Sequence, residues 1–289
     1  MHMKNAIAVF LTVAASLMIG GCGAGAGANQ PTRLTVMTYN IHHGAGMDGR
    51  LDLPRIARVI RDAKPDLVAL QEVDSGTARV GVVDEAAELA RLLNMHHAYG
   101  PAMNYDGGKY GNAILSRRKI IESRIIPLLY AEGNRREPRA ALAATIEMSR
   151  GTGAKQIVFI STHLDHTSGS PDRLPQAKRI NEAFADLKHP AILAGDFNCQ
   201  AESEPLAALA ADWVLVTQGD QLLTSPADKP RVRIDHVFVK PPSCWRVIGA
   251  RVIDEAVASD HRPIVVTLEL IRTSNATGAA DPPAQTSSR

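Results

Sequence analysis

The segment AILAGDFN, Ala191–Asn198, passes from four apolar residues through a glycine into polar side chains. Such a run predicts a buried strand whose end carries an aspartate and an asparagine. Asp196 and Asn198 stand two positions apart, so they share one face of an extended backbone. Polar groups at the end of a buried strand are typical of α/β proteins, because a rigid strand positions side chains that a loop leaves loose in solvent.

Four other segments combine an apolar run with polar residues at one end in the same way. They are YNIH at residues 39–42, QEVD at 71–74, STHLD at 161–165 and SDH at 259–261, the last of which precedes its apolar run. One polar strand end is common in proteins of any function. Five in one chain, each with a carboxylate, an asparagine or a histidine, predict that these side chains converge on one site.

The order of apolar patterns along the chain indicates alternating strands and helices. The β-prone runs are Leu34–Tyr39, Leu67–Leu70, Ala113–Leu115, Ile120–Leu129, Ala140–Ile146, Ile157–Ser161, Ala191–Ala194, Ile234–Val239, Val247–Ile253 and Pro263–Leu270. Helical spacing of apolar residues occurs in Leu53–Ala63, in Glu85–Leu93 and at Ala177, Ile180, Phe184 and Leu187. Asp52 is a candidate N-cap for the first helix. This order predicts mixed sheets packed between helices.

The two ends of the chain are predicted to lie outside the folded domain. Residues 1–22 carry a lysine, an uncharged run of 14 residues and then two glycines and a cysteine, which is typical of a signal peptide. The segment Ile19–Cys22 looks like a bacterial lipobox, which would make Cys22 the lipid anchor of an exported protein in the cell envelope. An ordinary cleaved signal peptide and an N-terminal anchor are the alternatives. Residues 23–31 are predicted to be a flexible tether and residues 273–289 a disordered tail, which leaves one domain at 32–272.

The charge and cysteine content exclude several classes of protein. The 289 residues carry 32 Lys+Arg against 30 Asp+Glu, so a strongly basic nucleic-acid coat protein is excluded. Three cysteines, none of them in a CxxC pair, exclude a disulfide-framed mini-protein and a cysteine-rich zinc module. In an oxidising compartment Cys199 and Cys244 could bond to each other or stay free, and their spacing leaves both open.

The residue types at the strand ends favour metal-assisted chemistry. Hard oxygen ligands, which suit Mg²⁺ or Mn²⁺ better than zinc, are offered by Asn40, Glu72, Asp196, Asp235 and Asp260. Asp196 and Asn198 can bind an attacking water and a developing oxyanion. His163 and His261 can hydrogen-bond a phosphate or transfer protons near neutral pH. Together these groups predict metal-assisted hydrolysis of a phosphoester.

The motifs resemble those of the endonuclease/exonuclease/phosphatase superfamily, which includes DNase I-like nucleases, inositol-polyphosphate phosphatases and sphingomyelinases. In chain order they are TYNIH, LQEVD, YGNAILSR, STHLDH, LAGDFN, RIDHVF and SDHRP, and they span Leu34 to Leu270. The resemblance implies an α/β fold, a four-layer sandwich of two mixed β-sheets flanked by helices. That architecture agrees with the order of elements above.

The resemblance also implies which residues hold the metal and the substrate. Glu72 matches the principal metal-binding glutamate of the family, Asn40 the asparagine near that metal, and Asp260 the aspartate that completes or adjoins the site. Arg139 is the best match for an arginine that contacts the substrate phosphate. Asn112 matches an asparagine near the floor of the site.

The remaining matches concern catalysis. Asp196 corresponds to the residue that positions or deprotonates the water, and Asn198 to its partner in the transition state. His163 corresponds to a histidine that contacts phosphate, and His261 to the catalytic histidine. Asp235 corresponds to the carboxylate that orients His261. Four other histidines are less specific: His236 is interpreted as a packing residue, and His42, His43 and His166 either line the cleft or lie in loops.

The function expected from these features is hydrolysis of a phosphate ester with Mg²⁺, or Mn²⁺, as cofactor. A phosphodiesterase is favoured, with a lipid headgroup, a sugar phosphate, a nucleotide or a nucleic acid as the substrate. A secreted DNase I-like endonuclease is the alternative, although no dense Lys/Arg stretch supports long nucleic acid as a partner. A non-catalytic binding protein on the same scaffold is a third hypothesis. We expect the protein to be a monomer, attached to the membrane through Cys22.

Overall fold

The computed structural model describes residues 32–130, 137–148, 156–219 and 221–271. The predicted signal peptide, lipobox, tether and C-terminal tail lie outside the described residues. Within the described ranges, no helix has the length and apolar composition needed to span a bilayer.

The strands of the described part form two sheets of six. They are β1 (Thr32–Asn40), β2 (Leu67–Ser75), β3 (His96–Tyr105), β4 (Gly108–Ser116), β5 (Ile120–Pro127), β6 (Ala140–Glu147), β7 (Gln156–His163), β8 (Ala191–Asp196), β9 (Val214–Leu215), β10 (Asp235–Lys240), β11 (Trp245–Val252) and β12 (Ile264–Leu270). The strand orders are β11-β12-β1-β2-β4-β3 and β5-β6-β7-β8-β10-β9. Near the middle of each sheet lies one parallel pair, β1 with β2 and β7 with β8, and the other pairings are antiparallel.

Apolar side chains on the two faces of each strand enter different cores. Val36 packs between the two sheets, whereas its neighbour Met37 packs on the outer face of the first sheet. The outer faces are covered by helices, and these are α1 (Leu53–Ala63), α2 (Glu85–Leu93), α3 (Arg173–Ala183) and α4 (Glu204–Leu209). Helices α1 and α2 pack on the first sheet and α3 and α4 on the second. The predicted four-layer α/β sandwich is therefore confirmed.

A buried polar bridge joins the two sheets near the ends of β2 and β7. Gln71 donates from Nε2 to Ser161 Oγ at 3.1 Å, and the Ser161 hydroxyl donates to the carbonyl of Leu70 at 3.0 Å. Thr38 on β1 donates to Gln71 Oε1 at 3.3 Å. Because these groups are buried and mutually satisfied, the bridge fixes how the ends of the two sheets face each other.

Several local predictions differ from the structure. Helix α3 ends at Ala183, and Leu187 packs against the core beyond the helix. The strand predicted over residues 120–129 ends at Pro127. Cys199 and Cys244 are both free, because Cys199 packs under the outer helices of the second sheet while Cys244 packs between the sheets. The bond that their sequence left open is thus absent.

Glu85, the first residue of α2, has a buried carboxyl group. Its Oε2 accepts a hydrogen bond of 2.7 Å from the backbone N–H of Asp74. Burial raises the pKa of Glu85 from 4.5 to about 8, which outweighs that hydrogen bond. The folded protein therefore favours the protonated form of this side chain at neutral pH.

We expect Glu85→Gln to flatten the dependence of stability on pH. Between pH 4.5 and 8 the folded protein holds a proton that the unfolded chain has released, so the free energy of unfolding falls as pH rises, by about 1.4 kcal/mol per unit. Glutamine does not ionise, so the variant should gain stability over the wild type at pH 8 and stay close to it at pH 4.5. Urea unfolding at both pH values measures this. Equal pH dependence in the two proteins would contradict a protonated Glu85.

Candidate active site

Asn40, at the end of β1, links the two sheets through its side chain. Its amide Nδ2 donates to Glu72 Oε1 at 3.0 Å and to Asp196 Oδ2 at 3.1 Å. Its Oδ1 accepts the backbone N–H of His42 at 3.0 Å. Because β1 runs parallel to β2, with Asn40 opposite Gln71, the polar residues at the ends of both strands lie at the same edge of the first sheet. The pairing of Asn40 with Glu72 and Asp196 is the first sign that the strand ends converge.

An irregularity in β2 sets the direction of the Glu72 side chain. The register between β2 and β4 shifts between Leu70 and Val73, and Glu72 itself has a φ of 56°. A bulge of this kind lets two consecutive polar residues point to different places. Gln71 joins the bridge between the sheets, while Glu72 stays half-buried and reaches Asn40.

Asp196 lies at the centre of the second half of the site. It is opposite His163 on the parallel strand β7 and opposite Asp235 on the antiparallel strand β10. Gly195 allows this close pairing, because a Cβ there would lie 2.1 Å from the carbonyl oxygen of Thr162. Three polar residues on adjacent strands are thereby aligned in one row at the edge of the second sheet.

Asn198 is held directly beside Asp196. Its φ of 51° turns the chain sharply after β8, so that its backbone N–H donates to Asp196 Oδ1 at 2.9 Å. Its side-chain amide nitrogen lies 3.0 Å from His163 Nε2 and donates to the carbonyl of Leu164 at 3.1 Å. These contacts fix the amide group of Asn198 next to both His163 and Asp196.

His163 is buried and lies between an arginine and the central aspartate. Arg139 Nη1 is 3.1 Å from His163 Nδ1, and because a guanidinium only donates, Nδ1 must accept. The ring hydrogen of the neutral form is then on Nε2, which is 3.6 Å from Asp196 Oδ2. In this tautomer the 3.0 Å approach of the Asn198 amide nitrogen to Nε2 is a contact between two donors and not a hydrogen bond. Burial, followed by the charge of Arg139, lowers the pKa of His163 well below its ordinary value. His163 is therefore a neutral hydrogen-bond donor at the site.

His261 has the opposite electrostatic character. Its Nδ1 is 2.8 Å from Asp235 Oδ2, and its Nε2 is 3.7 Å from Asp196 Oδ2. Burial alone would lower the pKa of His261, but the negative charges of Asp235 and Asp196 raise it well above the ordinary value. Burial in turn raises the pKa of Asp196, although the neighbouring His261 opposes that shift. One cationic and one neutral imidazole thus face the same aspartate.

Arg139 lines a cavity beside His163. Its side chain is buried, and Nη2 contacts His166 Nδ1 at 2.8 Å and Glu137 Oε2 at 2.9 Å. A cavity of about 190 Å³ lies between Arg139, Glu72 and Tyr110. The guanidinium of Arg139 and the carboxylate of Glu72 both line this cavity. A phosphate ester that contacts the arginine directly and the glutamate through a cation would need this arrangement.

The fold and the order of these side chains match a known group of enzymes. The model of the Endonuclease/Exonuclease/phosphatase family matches residues 37–261 of the chain. The chain belongs to this family. Its members are phosphoesterase and nuclease hydrolases, and the matched region begins inside β1 and ends on His261.

Several known proteins are similar to this chain over most of its length. The chain is 28% identical over 250 residues to the uncharacterized protein YbhP of Escherichia coli (strain K12), covering 81% of this chain and 96% of that protein. The endonuclease/exonuclease/phosphatase from Beutenbergia cavernae DSM 12333 has a TM-score of 0.67 at 28% identity, covering 82% of this chain and 72% of the other. The mannosyl-6-phosphatase Bt3783 of Bacteroides thetaiotaomicron, with a TM-score of 0.64, 22% identity and coverage of 81% and 99%, shares the fold.

Most of the residues matched to the family motifs meet in one network. Hydrogen bonds or side-chain contacts within 3.7 Å connect Asn40, Glu72, Arg139, His163, Asp196, Asn198, Asp235 and His261. Asp260 adjoins this network without forming part of its hydrogen bonds. Its Oδ1 lies 3.3 Å from the Ser259 hydroxyl oxygen, and its backbone carbonyl accepts the N–H of Ala227. Asn112 donates to the carbonyl of Ala140 at 2.7 Å and so supports the strand that follows Arg139. Among the described residues, Asn112 forms no hydrogen bond with the other predicted site residues.

One residue that shapes the site, Ser259, was not predicted from the sequence. Ser259 donates to the carbonyl of Asn40 at 2.7 Å and accepts from the backbone N–H of His261 at 3.3 Å, so it ties the last motif to the first. Ser259 is the first residue of the SDH motif at 259–261, and its place in that motif is the signal that could have identified it. His236 is fully buried, contacts Phe197 edge-to-face and lies 3.0 Å from the carbonyl of Cys199, in agreement with a packing role.

Proposed function

We propose that the protein is a divalent-cation-dependent phosphodiesterase that hydrolyses its substrate by direct attack of water on phosphorus. The observation that carries the proposal is the position of Asp196, whose carboxylate lies within 3.7 Å of His163, His261 and the amide of Asn40. A single carboxylate among so many hydrogen-bond donors suits a group that holds a water and accepts its proton. A non-catalytic binding protein would have no need for this arrangement.

The donor set at Glu72 fits a divalent cation. Among the described residues, two clusters of potential metal ligands have three or more members, namely His42 with His43 and Glu72, and Asp196 with Asp235 and His261. Glu72 presents a carboxylate that Asn40 holds in place and that is partly open to the cleft. When bound there, a cation would supply positive charge to a phosphoryl oxygen.

The remaining steps follow from the residues of the chain. Asp196 orients the water and takes one of its protons as oxygen bonds to phosphorus. The Nε2–H of His163 and the amide of Asn198 donate to the phosphoryl oxygens, where negative charge grows. His261, held as a cation by Asp235, stabilises the same charge, and Arg139 holds His163 in the donating tautomer. The bond from phosphorus to the ester oxygen then breaks on the side opposite the water, and the departing oxygen takes a proton from solvent.

The charge around the cleft favours a small phosphodiester over long nucleic acid. Arg139 is paired with Glu137, and Arg79 is paired with Asp74 at 2.6 Å, so these two cationic side chains of the described cleft already have acidic partners. Proteins that bind nucleic acid instead expose several unpaired Lys or Arg side chains to successive phosphates. A DNase I-like endonuclease remains the second candidate.

A substrate panel tests the proposed function. It compares bis-p-nitrophenyl phosphate, glycerophosphodiesters, nucleotides, sugar and inositol phosphates, and plasmid DNA, each with and without Mg²⁺ or Mn²⁺. Faster turnover of a small diester than of a monoester or plasmid supports the phosphodiesterase. Faster degradation of plasmid than of any small ester would favour the endonuclease, and turnover of none would overturn both.

Removal of the cation is expected to abolish turnover. Chelation with EDTA followed by dialysis should lower the rate at least about 100-fold, and added divalent cation should restore it. Glu72→Gln, which removes the charge of the ligand but keeps its shape, should raise the cation concentration for half-maximal rate at least about 10-fold. Glu147→Gln, at an exposed carboxyl group on β6, is the matched control. Full activity in EDTA would contradict cation dependence.

A further inference from the structure

The turn that follows β1 carries two consecutive histidines beside Glu72. His42 and His43 have φ values of 47° and 42°, in the left-handed region that residues other than glycine seldom adopt. Their rings lie 4.5 Å apart between centroids. The backbone N–H of His42 is held by Asn40, the same side chain that binds Glu72. Asn40 therefore fixes the turn and the carboxylate relative to each other.

The ring nitrogens of both histidines are placed as in metal ligands. His42 Nδ1 is 3.2 Å from the carbonyl oxygen of Ala45, and since a carbonyl only accepts, Nδ1 carries the hydrogen and Nε2 keeps a lone pair. Metal-binding histidines typically use one ring nitrogen to donate to a carbonyl in this way. His43 Nδ1 is buried without a hydrogen-bond partner among the described residues, which costs free energy unless something binds it.

The three side chains are close enough to share one ion. One ring nitrogen from each histidine and one carboxylate oxygen of Glu72 all lie within 4.8 Å of one another. Ligand atoms around a tetrahedral zinc ion are about 3.3 Å apart, given metal–nitrogen bonds of about 2.0 Å. Shifts of about 1 Å in these side chains would therefore bring the three ligand atoms to the separations found around a bound zinc ion.

Both positive and negative side chains surround this position. Arg79 is the nearby cationic side chain that acts on His43, and both arms of its guanidinium are bound to Asp74, at 2.6 and 2.8 Å. Asp260 is close enough to act on His43 electrostatically and contributes negative charge. Asp74 and Asp260 thus offset part of the positive charge of Arg79 at His43.

We propose that His42, His43 and Glu72 bind a transition-metal dication of the zinc class, with two imidazole ligands and one carboxylate. Imidazole nitrogens favour zinc and its first-row neighbours, whereas Mg²⁺ requires oxygen ligands. This inference rests on the proposed function in one respect, since Glu72 is the carboxylate assigned to the hydrolytic cation. It replaces the all-oxygen Mg²⁺ site expected from sequence with a mixed nitrogen and oxygen site.

Cobalt binding tests the site independently of catalysis, because Co²⁺ replaces zinc and its visible absorption reports nitrogen ligands. The metal-free protein is titrated with Co²⁺ and then with Zn²⁺ as competitor, and the same is done for His42→Asn, His43→Asn and the control His97→Asn, which changes an exposed histidine on β3. Asparagine is chosen because it tolerates positive φ better than other residues that lack an imidazole.

Wild type and His97→Asn should each bind one equivalent of Co²⁺. His42→Asn and His43→Asn should each bind Co²⁺ with at least about 10-fold lower affinity and show weaker visible bands. Circular dichroism and the melting temperature of the metal-free proteins show that folding is preserved. Equal Co²⁺ affinity and spectra in all four proteins would overturn the site. Weaker Co²⁺ binding in His42→Asn and His43→Asn, together with a wild type that binds Co²⁺ but hydrolyses no phosphoester, would support the site and refute the proposed function instead.

Discussion

Asp196→Asn should lower kcat by about 10²–10⁴-fold, the range expected when a general base is lost. Asparagine keeps the size and polarity of the side chain but cannot take a proton from water. It also loses one of the two hydrogen bonds that Asp196 accepts from Asn198 and Asn40, because one end of the amide is a donor. Steady-state rates on the best substrate of the panel, at saturating cation, measure the loss.

Two controls separate this effect from a change in folding or cation binding. Asp212→Asn removes an exposed carboxylate from the end of the segment after α4 and should leave kcat within about twofold of the wild type. Co²⁺ affinity of Asp196→Asn should stay near that of the wild type, since Asp196 is outside the cluster of His42, His43 and Glu72. Retention of more than about a tenth of the wild-type kcat would remove Asp196 from the role of base.

His261→Ala should lower kcat by about 10²–10³-fold, the cost typical of losing one donor to the charge of a transition state. Asp235→Asn should cause a smaller loss in the same direction, because His261 then keeps its ring but loses the carboxylate that orients it and holds its charge. Rates across pH 5–9 for each variant show whether the loss is uniform or follows protonation.

The double variant provides the sharper comparison. If Asp235 acts through His261, then His261→Ala with Asp235→Asn should be no slower than His261→Ala alone, because residues that act as a unit are not additive. Multiplicative losses would show that Asp235 acts on the reaction independently. Substitution of the exposed His97 by alanine is the control for removal of an imidazole.

Much of the fold could be predicted because buried strands produce continuous apolar runs. The strand β3 was missed, and its sequence explains why: Gly100 and Pro101 interrupt the run, and His96 and His97 are exposed. This strand lies at the edge of its sheet, with a register shift after Pro101, where a proline costs little. Edge strands need not be apolar on both faces, so their patterns are weaker than those of central strands.

The central part of the site could be predicted because its residues occupy strand ends. Asp196 and His163 follow apolar runs directly, and their cross-strand pairing then brings them together. The direction of Glu72 could not be predicted, because it depends on a bulge in β2 that no residue pattern marks. The contribution of His42 and His43 was equally hidden, since the left-handed turn that gathers them with Glu72 is visible only in three dimensions.

The first strand of the domain pairs with its last. In the first sheet, β12 lies between β11 and β1, and Thr32 is opposite Leu270. Wherever the chain emerges with its N-terminus first, one edge of β1 stays unpaired until residues 264–270 have followed. His261 emerges immediately before them, so the first sheet is completed and the imidazole of His261 reaches the candidate site in the same late interval.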